Sequence, residues 1–249
     1  MTGPLAGRTV LVTGGSRGIG RAVVRAAHRD GATVVLHYAS SAASARAVAD
    51  ELGDLVHLVP GDLYRPGAAE TIWTAAAAAA GRIDVLVNNA GAWIASPLED
   101  TADGETWDDG WRRNLTLNLT APADLCRAAI RHFRQHGGGI VVNVASRSSH
   151  RGDDADHLAY GAAKGGLLAL TKGIARGFAA ENILAYAVAP GWVATDLAED
   201  LDPAVLAGLP LREVTPPEDV AEVIAFLASG RSRHTTGATI DITGADYVR

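Results

Sequence analysis

Short apolar runs rich in β-branched residues recur along the chain, separated by longer segments in which apolar positions have a helical spacing. The runs predict seven strands, at residues 9–12, 33–36, 55–59, 83–87, 139–144, 183–188 and 238–242. The segments between them predict helices near residues 18–30, 42–53, 66–81, 105–136, 157–180 and 217–229. Strands that are apolar along their whole length are typical of a sheet covered on both faces. The alternation therefore predicts an α/β fold, a single doubly wound parallel sheet with helices on both faces.

Composition narrows the classes of partner. The chain has 249 residues with 48% hydrophobic content, and no linker divides it, so we expect one domain over residues 1–249. A net charge of −6 without a basic stripe argues against nucleic acid and membrane surfaces and favours a small-molecule substrate. The single cysteine and the absence of a basic start followed by a long apolar stretch predict a cytoplasmic protein.

A tyrosine and a lysine, Tyr160 and Lys164, stand four residues apart within the predicted helix 157–180. Residues at this spacing share a helix face, so the ammonium would lie beside the phenol and favour its ionised form. A free tyrosine has a pKa of about 10, and one tuned in this way would exchange a proton near neutral pH. Taken alone, the pair is also what chance produces on an amphipathic helix, so other motifs must decide.

A glycine-rich segment follows the first predicted strand and leads into the first predicted helix. Gly14, Gly18 and Gly20 give the spacing G-x-x-x-G-x-G, whereas the common dinucleotide fingerprint is G-x-G-x-x-G. Free N–H groups and the positive dipole end of a helix favour the negative charge of a dinucleotide. A turn without a ligand is the alternative for this segment taken alone.

Five motifs in this order resemble the short-chain dehydrogenase/reductase family over nearly the entire chain. They are the glycine pattern, Asn88-Asn89-Ala90-Gly91 after the fourth strand, Ser146 at the end of the fifth, the pair Tyr160 and Lys164, and Pro190-Gly191 with Thr195 at the end of the sixth. The pattern is most similar to ketoreductases of the 3-oxoacyl-carrier-protein reductase type.

The resemblance implies catalytic roles for Asn118, Ser146, Tyr160 and Lys164. Tyr160 would be the general acid that protonates a carbonyl oxygen as hydride reaches its carbon. Lys164 would stabilise the tyrosinate and hold the nicotinamide ribose, and Ser146 would hydrogen-bond the substrate oxygen. Asn118 would kink a helix and bind a water that relays protons toward Lys164.

Two of these assignments have competitors. Asn114 lies one turn before Asn118, which is preferred because Asn-Leu-Thr with an upstream tryptophan fits the family pattern. Ser148 and Ser149 lie close to Ser146, which is preferred because it leaves the fifth strand where the serine of the family does.

The stretch from Ser146 to Tyr160 is slightly longer than usual for the family and unusually charged. Its charged and titratable residues include Arg147, Asp153, Asp154, Asp156 and His157. They would suit recognition of a polar substrate, but a solvated loop is the preferred interpretation.

The end of the second predicted strand determines the expected cofactor. Relatives that prefer NAD place an acid there to bind the adenosine ribose. This chain has Tyr38 at that position, and Arg17 in the glycine segment would pair with a 2′-phosphate, unless it is simply a solvated loop residue. We therefore predict NADPH, with NADH less favoured. The predicted cofactor contacts are Gly14, Ser16, Arg17, Gly18, Ile19, Gly20, Tyr38, Ala39, Ser40, Ser41, Asp62, Leu63, Asn89, Ala90, Gly91, Tyr160, Lys164, Pro190, Gly191, Val193 and Thr195.

The substrate side is less constrained. Trp93 and Trp192 follow the fourth and sixth strands and are placed to line the cleft, with packing as the alternative for either. Residues 194–215 are expected to form a lid. His132 and His136 have a spacing that suits a metal, but no acid or cysteine completes a site, and no metal is predicted.

The leading function is an NADPH-dependent carbonyl reductase. The alternatives are an NAD-dependent alcohol, sugar or steroid dehydrogenase running in the oxidative direction, and a dinucleotide-binding sensor without turnover. The resemblance implies a homotetramer assembled through helices 105–136 and 157–180 and the last strand.

Overall fold

The structure is a computed structural model that describes residues 3–101, 106–195 and 203–249. Within these ranges seven strands form one sheet, in which every neighbouring pair is parallel and the order is β3-β2-β1-β4-β5-β6-β7. The strands are β1 (Thr9–Val12), β2 (Thr33–Tyr38), β3 (Val56–Pro60), β4 (Val85–Asn88), β5 (Gly139–Val144), β6 (Ile183–Pro190) and β7 (Thr239–Ile242). The predicted parallel α/β fold is confirmed.

Helices cover both faces of the sheet. They are α1 (Gly18–Arg29), α2 (Ala42–Leu52), α3 (Ala68–Ala80), α4 (Trp107–Leu115), α5 (Ala121–Gln135), α6 (Ser148–Arg151), α7 (Leu158–Phe178), α8 (Pro203–Gly208) and α9 (Pro217–Ala228). Because side chains of a strand alternate between faces, Val10 and Val12 of β1 pack with α1 and α9, whereas Leu11 packs with α3 and α5. This two-sided burial explains why the strands are apolar at successive positions.

The predicted helix 105–136 differs from the structure in the middle. Residue 105 lies outside the described residues; beyond it, α4 and α5 are joined by a π-helical segment, Thr116–Thr120, that contains Asn118. A π turn accommodates one extra residue and often marks a functional position. The kink that the resemblance implied is therefore a π-helical bulge between two helices.

Two other segments differ from the sequence prediction or go beyond it. The charged stretch after β5 contains the short helix α6, which the apolar pattern did not predict because it spans a single turn. The expected lid, residues 194–215, falls partly on residues 196–202, which lie outside the described residues; the described remainder contains α8.

Candidate active site

The predicted site residues lie at the carboxyl ends of the strands. The strand order reverses at β1 and β4, because the chain runs outward from β1 to β3 and then returns to β4 on the other side. Loops that follow strands on either side of such a switch diverge and leave a crevice. Here the crevice opens beside a cavity of about 390 Å³.

The glycine segment connects β1 to α1 at this crevice. Gly14 has a φ of 66°, which favours glycine, and a Cβ on Gly20 would lie 2.1 Å from the carbonyl oxygen of Gly14. The amide of Asn89 donates to the carbonyls of Thr13 at 2.9 Å and Gly14 at 3.2 Å, so the end of β4 holds the segment in place. Helix α1 begins at Gly18 without an acid in its first turn, so its dipole favours an anion.

Thr13 and His37 also shape this segment, although the sequence motifs did not include them. The Thr13 hydroxyl accepts hydrogen bonds from the N–H groups of Asn89 and Ala90, each at 3.0 Å. Nδ1 of His37 accepts from the Gly14 N–H at 3.3 Å, while Nε2 bonds the Gly61 carbonyl at 3.0 Å. The proton of the imidazole therefore resides on Nε2, and burial lowers the pKa of His37.

Tyr160 and Lys164 share one face of α7 and reach the cavity together with Ser146 from the end of β5. Ser146 acts on the Tyr160 phenol and lowers its pKa, while the Ser146 oxygen accepts the N–H of Ser148 at 3.1 Å. Ser149 turns its hydroxyl to the backbone N–H of Ser146, 3.2 Å away. Of the three serines, Ser146 is thus the one that acts on the phenol.

The electrostatics of the pair differ from the sequence expectation. Burial raises the pKa of Tyr160 to about 12, against the opposing effects of Ser146 and Arg147 and with a further increase from Asp153. Burial also lowers the pKa of Lys164 to about 8. The Lys164 ammonium donates to the Val144 carbonyl at 2.9 Å and lies 5.8 Å from the centre of the Tyr160 ring. The expectation that Lys164 favours the ionised phenol is therefore not met, because the cost of desolvation dominates.

Asn118 reaches the same area from the π-helical segment. Its amide nitrogen donates to the Ala92 carbonyl at 2.9 Å, and its oxygen accepts the Ala92 N–H at 3.2 Å. A Cβ placed on Gly91 would lie 2.7 Å from the Asn118 oxygen and 3.2 Å from the Lys164 nitrogen, so both groups approach one point of the loop after β4. The competitor Asn114 instead donates to the carbonyls of Ile94 and Gly110, each at 2.9 Å.

Aromatic side chains line the outer part of the cavity. Trp93 stacks on His157 with ring centres 3.6 Å apart, and Trp192 meets Trp93 edge-on at 6.2 Å. Both tryptophans border the cavity, as the sequence predicted.

Arg147 is buried, which corrects the interpretation of its whole segment as a solvated loop. The residue is only 8% exposed, its guanidinium lies 4.9 Å from the ring centre of Trp192, and it forms an ion pair with Asp246. Burial and the charge of Arg151 lower the pKa of Arg147 to about 10. The partners that bury Arg147 stand far away in sequence, so no local pattern identifies it. Asp154 remains exposed, as a solvated loop predicts.

The predicted cofactor contacts fall into two groups. One group borders the cavity together with Tyr160 and Lys164: Ile19, Asn89, Gly91, Pro190, Gly191, Val193 and Thr195. The other group lies along the carboxyl ends of β1 to β4 and outside that lining: Gly14, Ser16, Arg17, Gly18, Gly20, Tyr38, Ala39, Ser40, Ser41, Asp62, Leu63 and Ala90. Together they follow one edge of the sheet, as an extended dinucleotide requires.

The two histidines at the C-terminal end of α5 make hydrogen bonds within the protein. Nε2 of His132 accepts the backbone N–H of Ile83 at 3.1 Å, and Nδ1 of His136 donates to the His132 carbonyl at 2.7 Å. Within residues 3–101, 106–195 and 203–249, no group of three or more His, Cys, Asp or Glu residues suits a metal ion.

Cys126 of α5 is buried against the Asn88 amide, whose nitrogen lies 3.3 Å from its sulfur, and burial raises the pKa of this thiol to about 12.

None of the described helices is both long enough and apolar enough to cross a membrane.

Comparison with known proteins decides the family. A profile for the family described as Enoyl-(Acyl carrier protein) reductase matches residues 14–244. The chain is 33% identical over 248 residues to the 3-oxoacyl-[acyl-carrier-protein] reductase of Vibrio cholerae, covering 98% of this chain and 99% of that protein. The chain belongs to the short-chain dehydrogenase/reductase family. The predicted family and the predicted enzyme class, an NAD(P)-dependent dehydrogenase/reductase, are confirmed.

Other similar proteins carry different names and bound molecules. The 3beta-hydroxysteroid dehydrogenase 1 of Eggerthella lenta is 34% identical over 251 residues, covering 96% of this chain and 94% of that protein. A solved structure of a blue fluorescent protein from a metagenomic library, in complex with NADPH, superposes with a TM-score of 0.88 at 34% identity, covering 98% of this chain and all of that one, 100%. Family membership therefore defines the reaction class and leaves the substrate open.

Proposed function

We propose that this dehydrogenase/reductase reduces a ketone or 3-oxoacyl group to an alcohol with NADPH, using Asn118, Ser146, Tyr160 and Lys164. The observation that carries the proposal is that Ser146 and Tyr160 line the wall of one cavity, where Ser146 lowers the pKa of the phenol. Two hydroxyl groups that converge in this way suit a carbonyl oxygen bound between them.

The protonation state of Tyr160 fits the reductive direction. A phenol with a pKa of about 12 carries its proton at neutral pH, which is the state that a general acid needs. In the proposed step, the C=O π bond breaks, the phenol O–H proton passes to the carbonyl oxygen, and Ser146 holds that oxygen in place. The nicotinamide supplies the hydride that completes the C–H bond when the cofactor is bound.

In the proposed mechanism, Lys164 and Asn118 return a proton to Tyr160 after it has protonated the substrate. With a pKa of about 8, Lys164 releases and regains a proton near neutral pH more readily than an exposed lysine. Asn118 approaches the same point of the loop after β4. We infer that these two residues connect Tyr160 to solvent.

The residues present fit a dinucleotide phosphate. The absence of a side chain at Gly20 lets α1 pack against the Gly14 carbonyl, and the N-terminus of α1 points its dipole at the glycine segment. NADPH is favoured because β2 ends at Tyr38 without an acid and is followed by Ser40 and Ser41, with Arg17 as a cation on the glycine segment. The relative solved with NADPH supports this choice.

The mechanism is tested by Tyr160→Phe. Loss of the proton donor should lower kcat at least about 100-fold, while the dissociation constant for NADPH, measured by fluorescence titration, should stay within about twofold. Tyr186→Phe is the matched control, because the Tyr186 hydroxyl donates to the Ser232 carbonyl away from the cavity. Turnover retained by the Tyr160 variant would refute the assignment.

The cofactor preference is tested by kcat/KM. We expect NADPH to exceed NADH by about tenfold or more, since a 2′-phosphate gains charge-assisted hydrogen bonds. Tyr38→Asp should reverse the preference by repelling the phosphate and binding the ribose hydroxyls. Equal values of kcat/KM for both cofactors in the unmodified enzyme would remove the claim.

The steroid relative favours a second candidate, oxidation of an alcohol. A panel of ketones, ketoesters, acyl thioesters and 3-oxosteroids, assayed with the matching alcohols in the reverse direction, separates the candidates. Tight NADPH binding without turnover on any of them would support the sensor instead.

A further inference from the structure

Arg147 is a buried cation in the wall of the active-site cavity, although it belongs to none of the motifs that define the family resemblance. It directly follows Ser146, which lowers the pKa of the Tyr160 phenol, and it borders the same cavity as both. A guanidinium that is only 8% exposed has lost most of its hydration, which a folded chain tolerates only when another interaction offsets the cost.

Two contacts fix where this cation lies. The guanidinium packs over the indole of Trp192, with its carbon 4.9 Å from the ring centre, and it pairs with the carboxylate of Asp246. Trp192 comes from the loop after β6 and Asp246 from the segment after β7, so the position of Arg147 is set by three separate parts of the chain.

The second cation of the cavity is oriented differently. The Lys164 ammonium donates to the Val144 carbonyl at 2.9 Å, and it lies below the ring of Tyr160 at 5.8 Å from the centre. Among the effects on the pKa of Tyr160, burial is the largest, followed by the hydrogen bond from Ser146, then the charges of Asp153 and Arg147. Arg147 and Tyr160 line the same cavity, and the charge of Arg147 lowers the pKa of the phenol.

The remaining charged groups around the two residues are few within the described part of the chain. Asp153 and Arg151 also line the cavity; the charge of Asp153 acts on both Tyr160 and Arg147, and that of Arg151 acts on Arg147. Asp154 also borders the cavity and bonds His157, which stacks on Trp93. Asp246 is the carboxylate in direct contact with the guanidinium.

We propose that Arg147 is a positioning residue for the reaction, a fixed positive charge held by Trp192 and Asp246 that stabilises Tyr160 as its proton leaves. This deepens the proposed function, because it assigns part of the stabilisation of the tyrosinate to a residue outside the Asn, Ser, Tyr and Lys set. It predicts that the proton affinity of Tyr160 depends on the charge at position 147 and little on that at position 151.

The direct test observes Tyr160 without cofactor or substrate, so it stands even if no substrate is found. The protein is labelled with 3-fluorotyrosine, whose ring fluorine lowers the pKa of each phenol, and the five tyrosines are titrated by ¹⁹F NMR. Tyr160→Phe identifies the resonance of Tyr160. In Arg147→Met its titration midpoint should rise by about one pH unit, a tenfold smaller ionised fraction at a given pH.

Three further variants make the result specific. Arg147→Met with Asp246→Asn removes both partners of the ion pair, so that no buried carboxylate is left unpaired if the single variant folds poorly; it should show the same rise. Arg147→Lys keeps the positive charge, so its titration midpoint should lie close to that of the parent. Arg151→Met is the matched control, since Arg151 borders the same cavity but does not act on the phenol, and its midpoint should equal that of the parent.

The pH profile provides the kinetic counterpart once a substrate is known. The apparent pKa of kcat/KM for alcohol oxidation, which needs the ionised phenol, should rise in Arg147→Met and return in Arg147→Lys. An unchanged midpoint for Tyr160 in folded Arg147 variants, an equal shift in Arg151→Met, or no recovery with lysine would each overturn the proposal. Absence of any turnover with a shifted ¹⁹F midpoint would refute the proposed function and leave this inference intact.

Discussion

Lys164 is proposed to act in catalysis, yet burial of its charge lowers the stability of the folded chain. Its ammonium is buried in the cavity wall with one carbonyl partner, Val144, 2.9 Å away. Burial lowers the pKa of Lys164 from 10.5 to about 8, so the folded chain releases this proton before the unfolded chain does. At about 1.4 kcal/mol per pH unit, the charged form costs on the order of 3 kcal/mol below pH 8.

We therefore expect Lys164→Met to be inactive yet more stable than the parent near pH 7, by about 1–2 kcal/mol after the lost hydrogen bond is counted. The unfolded parent binds more protons between pH 8 and 10.5, so the parent gains stability as pH rises through that window. The advantage of the variant should shrink accordingly. Urea unfolding at about pH 7 and about pH 9.5 measures both effects, and a variant less stable than the parent at pH 7 would contradict the sign.

Single residues of the site were predictable where a motif fixes them to the end of a strand or to a helix face. Tyr160, Lys164 and Ser146 are of this kind, and the structure brings them to one cavity. Arg147 and His37 were not, because their partners come from distant parts of the chain and neither residue type is unusual in a loop. The reversed direction for the pKa of Tyr160 was missed because spacing reveals a neighbouring cation but not the extent of desolvation.

At the scale of elements, the π-helical segment brings a helix into contact with the loop after β4. Asn118 within it forms hydrogen bonds to both the carbonyl and the N–H of Ala92. This pair of hydrogen bonds holds the loop at a fixed distance from α7, where Lys164 stands. The sequence indicated one helix here because a single inserted residue scarcely alters the apolar period over thirty residues.

The close approach of Asn118 and Lys164 to Gly91 predicts that a single methyl group at position 91 strongly lowers activity. Gly91→Ala places a Cβ 2.7 Å from the Asn118 oxygen and 3.2 Å from the Lys164 nitrogen, so at least one of them must move. We expect kcat/KM to fall about 10- to 100-fold. Gly173→Ala on α7 is the control: a Cβ there would meet nothing within 4 Å, and the helix should gain up to about 1 kcal/mol. Steady-state kinetics and thermal unfolding of both variants check this, and unaltered kinetics for Gly91→Ala would rule out close packing at this point.

At the scale of the whole molecule, the parallel sheet was predictable because buried strands and amphipathic helices alternate without a break. The single-domain interpretation and the cytoplasmic location stay predictions from the sequence. The order in which the strands lie side by side does not follow from the pattern, since apolar runs carry no information about their neighbours.

Assembly is likewise a prediction at this scale. Strand β7 pairs with β6 alone among the described strands, and all four of its residues are partly exposed, so a second chain could extend the sheet or cover its edge. We expect a homotetramer that uses this edge with α5 and α7. Sedimentation velocity should detect a species of four 25.7 kDa chains, and a monomer at all concentrations would refute it.

The buried thiol of Cys126 makes the chain a ready host for site-directed labels. It is the one cysteine of the sequence and is buried, so a reagent cannot reach it. Burial also raises the pKa of its thiol to about 12. An engineered surface cysteine would then be the sole group to react with a maleimide or a nitroxide. A spectroscopic reporter could be attached beside the cavity without first removing a native residue, and movements of its rim on ligand binding could be followed directly.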